Sequence, residues 1–78
     1  MSYDITKTVD VKGKSCPMPI VKTRQAINDL ESGQVLETLS TDSGSENDFQ
    51  GWVGGSSDVK LLEMKTEDGV YKFYIEKK

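Results

Sequence analysis

Pro17 and Pro19, two prolines separated by one residue, constrain this chain more than any other feature. Such a pair destroys a helix interior, because each ring removes a backbone donor and crowds the preceding turn. It is tolerated in the first turn of a helix, where N–H groups have no carbonyl partner. The flanking sequence agrees with a helix start at this point. Upstream, Thr8-Val9-Asp10-Val11 alternates in the manner of a half-buried strand, and Ile5 extends the same parity. Gly13 breaks that pattern. Downstream, Ile20, Thr23, Ala26, Ile27 and Leu30 form one stripe at about 100° per residue. Ser15-Cys16-Pro17 therefore opens a helix, and Ser32-Gly33 ends it with Gly33 as a left-handed cap.

The remaining pattern follows the same logic. Val35 to Thr41 reads as a second strand closed by a turn at Asp42-Ser43-Gly44. Ser45 followed by Asp48 predicts a helix N-cap arrangement, with Phe49, Trp52 and Val53 as the apolar face of a short second helix. Gly51 weakens that helix by about 1 kcal/mol relative to alanine. Gly54-Gly55-Ser56-Ser57 reads as a connector. Val59 to Thr66 and Val70 to Glu76 are two strands joined through Glu67-Asp68-Gly69, and Asp-Gly between β-rich runs is a strong hairpin signal. The order β-α-β-α-β-β predicts parallel pairing across the first crossover and antiparallel pairing of the last two strands. The economical packing is a two-layer sandwich: a mixed four-stranded sheet with both helices on one face and the other face open. With 78 residues, about half the ~150 that serve as a prior for one domain, residues 1–78 make a single domain.

Composition removes whole classes of function. Ten basic residues against 13 acidic give a net charge of −3, so no cationic excess is available to neutralise nucleic-acid phosphates. No apolar run is long enough for a membrane helix, and Met1-Ser2-Tyr3-Asp4 lacks a signal-peptide core, which makes the cytoplasm the expected compartment. The chain has no histidine, which excludes Ser-His and Cys-His nucleophile pairs and His-ligated metal sites. One cysteine, Cys16, excludes an intrachain disulfide, a C-x-x-C redox pair and Cys-rich metal sites. Neither a metal nor another cofactor is expected.

Cys16 is the residue on which chemistry can turn. With Pro17 at the first helical position, Cys16 falls at the N-cap. Pro19 has no N–H, so Met18 is the main backbone donor left to the sulfur. The positive end of the helix dipole and nearby cations lower a cysteine pKa, and Lys12, Lys14 and Arg24 are the candidate cations. A lone cysteine is often a small buried hydrophobe. Core cysteines lie inside apolar patterns, however, and this one lies at a turn between Gly13-Lys14 and Pro17. Met18 and Val21 fall off the Ile20–Leu30 stripe on the same end of the helix. With Pro17 or Pro19 they form either scattered surface apolar residues or a docking collar around the thiol.

Gly-x-x-Cys-Pro-x-Pro after a first strand, then a helix carrying Lys22-Thr23-Arg24, resembles the TusA/SirA family of small sulfur carriers. The likeness runs from about Val9 to Glu76. It takes in Thr41-Asp42-Ser43-Gly44-Ser45, Trp52 and Gly69-Val70-Tyr71-Lys72-Phe73. The resemblance implies that Cys16 accepts sulfane sulfur as a persulfide from a donor protein, a cysteine desulfurase or a rhodanese-like protein, and passes it to an acceptor protein. Such carriers serve tRNA thiolation, cofactor maturation or sulfur oxidation. Pro17 and Pro19 would shape the helix start, and Asp42 matches an acidic residue that the family commonly retains. A monomer without direct nucleic-acid or membrane contact is expected. Ser43 stands where many members have proline, and Gly51 to Ser57 is richer in glycine than in relatives. Both departures bear on the choice of partner.

Other readings of the same residues are weaker. Asp42, Glu46 and Asp48 could suggest a cation site, but carboxylates before a helix more often cap it. Gly54-Gly55-Ser56-Ser57 lacks the lysine and the strand–helix context of a phosphate loop. A monothiol redox protein would need a resolving cysteine from elsewhere. The alternative to a carrier is a non-catalytic adaptor on the same scaffold, in which the thiol is incidental.

Overall fold

The computed structural model describes residues 4–14 and 18–78. Six elements follow in the expected order: β1 (Ile5–Val11), α1 (Met18–Ile27), β2 (Val35–Ser40), α2 (Ser45–Gly54), β3 (Val59–Glu67) and β4 (Val70–Lys77). The sheet runs β1-β2-β4-β3. β1 pairs with β2 in parallel, while β2 with β4 and β4 with β3 are antiparallel. Asp68 (φ 52°) and Gly69 (φ 78°) both adopt the left-handed conformation that a two-residue hairpin turn demands. Among the described residues, no helix is long and apolar enough to cross a membrane.

Both helices cover one face of the sheet and touch each other. The core joins Ala26, Ile27 and Leu30 from the α1 side to Phe49 of α2 and to Leu36, Val59, Phe73 and Ile75 of the sheet. Phe49 stacks on Phe73 at 4.2 Å between ring centroids and receives Trp52 edge-on at 6.0 Å. Full burial of each phenylalanine stabilises the fold by about 1.5–3 kcal/mol. The α1 stripe predicted from the sequence faces this core, with Thr23, Ala26 and Ile27 buried and Ile20 half-buried. Pro19 is buried as well.

Three local expectations are corrected. α1 ends at Ile27 rather than at Ser32-Gly33. The amides of Asp29 and Leu30 bond three residues back, to Ala26 and Ile27, in a tightened turn that still drops Leu30 into the core. Gly33 is left-handed (φ 89°), but its N–H donates to the Lys77 carbonyl and orients the entry to β2 instead of capping α1. Ser45 is the first helical residue of α2 and not its N-cap. That place belongs to Gly44, which has no side chain to cap with, and the Ser45 hydroxyl lies instead 2.6 Å from that of Ser40. Ile5 is exposed, because a bulge between Ile5 and Lys7 shifts its parity. The other edge strand, β3, carries a register shift between Leu61 and Glu63. Irregular edges of this kind oppose pairing with foreign strands.

Candidate functional site

Parallel pairing of β1 with β2 sets Val11 beside Ser40 and brings both carboxyl ends to one edge of the molecule. α1 and α2 each begin a few residues beyond those ends, at Met18 and Ser45. In sheets with parallel strands, sites form outside the carboxyl ends of the strands, where helix N-termini present partial positive charge. The loop that carries Cys16 leaves β1 here. Ser15, Cys16 and Pro17 themselves lie outside the described residues, and with them the N-cap position of Cys16 and the first helical position of Pro17.

The approach to Cys16 is held by three consecutive amides. Lys12 N–H donates to Asp10 Oδ1 (3.1 Å), Gly13 N–H to Thr41 Oγ1 (2.9 Å) and Lys14 N–H to the Val11 carbonyl (3.1 Å). The last bond closes a turn whose third residue, Gly13 (φ 82°), has the positive φ a type II turn requires. Across from it, the β2–α2 corner is knit by its own polar groups. Asp42 N–H reaches Ser40 Oγ, Gly44 N–H reaches Asp42 Oδ1, and Ser45 N–H reaches the Asp42 carbonyl. Ser40 and Ser45 are both buried.

The other residues singled out from the sequence divide between this edge and elsewhere. Met18 is 37% exposed at the start of α1, and Val21, one turn on and half-buried, follows on the same side. Asp42 stands half-buried at the facing corner. Lys14 is exposed beside the loop. Lys12 and Arg24 are not gathered around the helix start. The Lys12 ammonium lies 3.8 Å from Asp10 and lines a basin on the open sheet face with Glu37, Leu39, Glu67, Asp68, Val70 and Lys72. Arg24 is six residues along α1 from Met18, about 9 Å of helix rise, in a groove with Asn28, Trp52 and Asp58. Among the described residues no cluster of acidic side chains is arranged to hold a metal ion. Thr41, Ser40 and Ser45 carry roles that individual residue types did not announce. The run Thr41 to Ser45 stands out in the sequence as part of the family likeness, and Ser45 as a cap, but neither signal gives these bonds.

The shifted titrations belong to the open face. Burial, with a 2.8 Å hydrogen bond to Glu37 second, pushes the Tyr74 hydroxyl up to about 12. The Lys72 ammonium, 2.7 Å from Glu67, lowers that carboxylate's pKa and is itself raised.

A family model described as Sulfurtransferase TusA matches residues 7–77. The chain belongs to the TusA family. A Halobacterium salinarum protein with a provisional sulfur-carrier name is 56% identical over 75 residues, covering 96% of this chain and 93% of that one. The sulfur carrier protein TusA of Allochromatium vinosum is 36% identical over 74 residues, covering 95% and 96%. A SirA-like protein of Desulfitobacterium hafniense, known from its crystal structure, superposes with a TM-score of 0.71 at 28% identity, covering 90% of this chain and 95% of that one.

Proposed function

We propose that this TusA-family chain is a sulfur carrier that holds sulfane sulfur as a persulfide on Cys16. The observation that supports the reading most is positional. In sequence the chain's single thiol falls between the end of β1 and the start of α1, and those ends lie at the edge where both helices begin. A thiolate there attacks the terminal sulfur of a donor persulfide. One S–S bond forms on Cys16, the donor's S–S bond breaks, and the electron pair leaves with the donor thiolate. Attack by an acceptor nucleophile on the terminal sulfur then returns the Cys16 thiolate. The exchange is balanced without a cofactor.

In this reading the helix start, with Pro17, Met18 and Pro19, favours the thiolate, and Gly13 and Lys14 shape its approach. Lys12 and Arg24 act only at longer range. Met18, Val21 and Asp42 flank the thiol loop and receive the donor, a cysteine desulfurase or rhodanese-like protein, and then the acceptor. The carrier works as a cytoplasmic monomer.

The test is mass spectrometry of Cys16 after incubation with a cysteine desulfurase and free cysteine, on the parent and on Cys16→Ser. The parent is expected to gain one sulfur atom on Cys16, and the variant none. Serine is a good N-cap residue and keeps the fold, with stability changed by less than about 1 kcal/mol. An unloaded parent, or unchanged sulfur delivery by Cys16→Ser, would reject the carrier reading in favour of an adaptor.

A further inference from the structure

Of the three amides that hold the approach to Cys16, two are satisfied within the same segment, by Asp10 and by Val11. Gly13 is different. Its N–H crosses to Thr41, 28 residues away, at 2.9 Å. Among the described residues, this is the hydrogen bond that ties the loop to another element. Thr41 is a fixed post for it. Ser40 before it is buried in β2, and Asp42 after it is bound back to Ser40 Oγ, which in turn meets Ser45 Oγ. Gly13 carries no side chain, and nothing lies within 4 Å of where a Cβ would stand, so no side chain packs the chain at this position.

We propose that Thr41 is a positioning residue for Cys16: its hydroxyl, held by the β2–α2 corner, fixes the loop through Gly13 so that the thiol meets its donor in one arrangement. This rests on the carrier function proposed above. The bond is exposed, so its loss leaves no buried group unpaired, and the fold does not depend on it. What changes is the share of time Gly13 is held against Thr41. One hydrogen bond of ordinary net worth changes such a population roughly fivefold. In this role Thr41 acts through Gly13, so loss of its hydroxyl is expected to slow transfer within the complex and to leave donor affinity alone.

Three proteins, the parent, Thr41→Val and Thr41→Ser, test this in two measurements. Amide hydrogen exchange by NMR reads the tether directly. Gly13 exchange is expected to accelerate about fivefold in Thr41→Val and to return towards the parent rate in Thr41→Ser, which restores the hydroxyl. The rate of Cys16 persulfide formation from a desulfurase is expected to fall about fivefold in Thr41→Val. KM for the desulfurase and the melting temperature should stay unchanged, with recovery again in Thr41→Ser. Thr41→Ala serves if the valine variant folds poorly. Unchanged Gly13 exchange overturns the tether. Faster exchange with an unchanged transfer rate, or a rate loss carried wholly by KM, overturns the positioning role. Failure of the carrier reading is seen separately, as absence of sulfur on Cys16 in the parent, while Gly13 exchange still reports the tether.

Discussion

Thr23 and Thr38 offer a test of how α1 is pinned to the sheet. Both are fully buried, and their hydroxyls lie 3.0 Å apart between the middle of α1 and the centre of β2. Valine matches threonine in shape, so Thr23→Val and Thr38→Val remove a hydroxyl without opening a cavity. Each single substitution takes the bond away from a buried partner hydroxyl, a penalty of about 1–3 kcal/mol where that hydroxyl finds no other partner. The two penalties differ in size. In Thr38→Val, the Thr23 hydroxyl can turn to the Pro19 carbonyl one helical turn back, as threonines in helices do, which places the loss near ~1 kcal/mol. In Thr23→Val, Thr38 sits in a strand paired on both sides. It has no such retreat, and the loss is nearer ~2–3 kcal/mol. The double variant leaves no orphan and places two methyls in contact. Its stability should return to within about 1 kcal/mol of the parent, well short of the sum of the singles. Urea unfolding of the four proteins measures the cycle, and thermal melts check it at about 4–8 °C per kcal/mol for a domain of this size. Additive losses, or a Thr38→Val variant less stable than Thr23→Val, would refute the reasoning.

The same substitution should act with opposite signs at two glycines. Gly51 lies inside α2 with nothing near its missing Cβ, so Gly51→Ala is expected to raise stability by about 0.5–1 kcal/mol, whereas Gly69→Ala at φ 78° in the hairpin turn should lower it by about 1–2 kcal/mol; urea midpoints decide both. Following phenolate absorbance against pH should show Tyr74 titrating near about 12, and Glu37→Gln should bring that midpoint down. The folded pKa lies above the unfolded value of 10.0, so Tyr74's contribution to stability is intact below pH 10 and is lost as pH climbs towards 12. A Tyr74 midpoint near the ordinary tyrosine value would show that the Glu37 contact and burial are absent in solution.

Much of this fold is legible because its signals are local. Pro19 in the first turn of α1, the switch of period between Val11 and Ile20 and the Asp68-Gly69 pair each determine their own neighbourhood. What escaped the sequence is set by tertiary partners. Ser45 has the composition of an N-cap, yet Ser40 captures its hydroxyl, and no local rule weighs a local bond against a buried one five residues away. Gly33 is left-handed, as its sequence context predicts, but for a different neighbour, since its N–H serves Lys77 at the far end of the chain. Lys12 could have been placed by parity, because it shares the outward parity of Thr8 and Asp10. Arg24 shows the opposite error. Its charge suggests a partner for the thiol, but six residues of helix, about 9 Å of rise, carry it away from the start of α1.

The parallel and antiparallel halves of the sheet divide the work in a way that experiment can separate. β3 and β4 form a hairpin, and β4 supplies Phe73 and Ile75 to the core. The elements around the proposed thiol site belong to the β1–α1–β2–α2 half. Their polar bonds at the carboxyl edge are mostly exposed or half-buried, so they add little to global stability and much to local geometry. A loss in the hairpin, such as Gly69→Ala, should lower the urea midpoint while leaving the Cys16 loading rate of the folded protein unchanged. Loss of the Thr41 hydroxyl should do the reverse. If both variants instead changed rate and stability in proportion, the thiol loop would be reporting global unfolding, and the division between the two halves would fail.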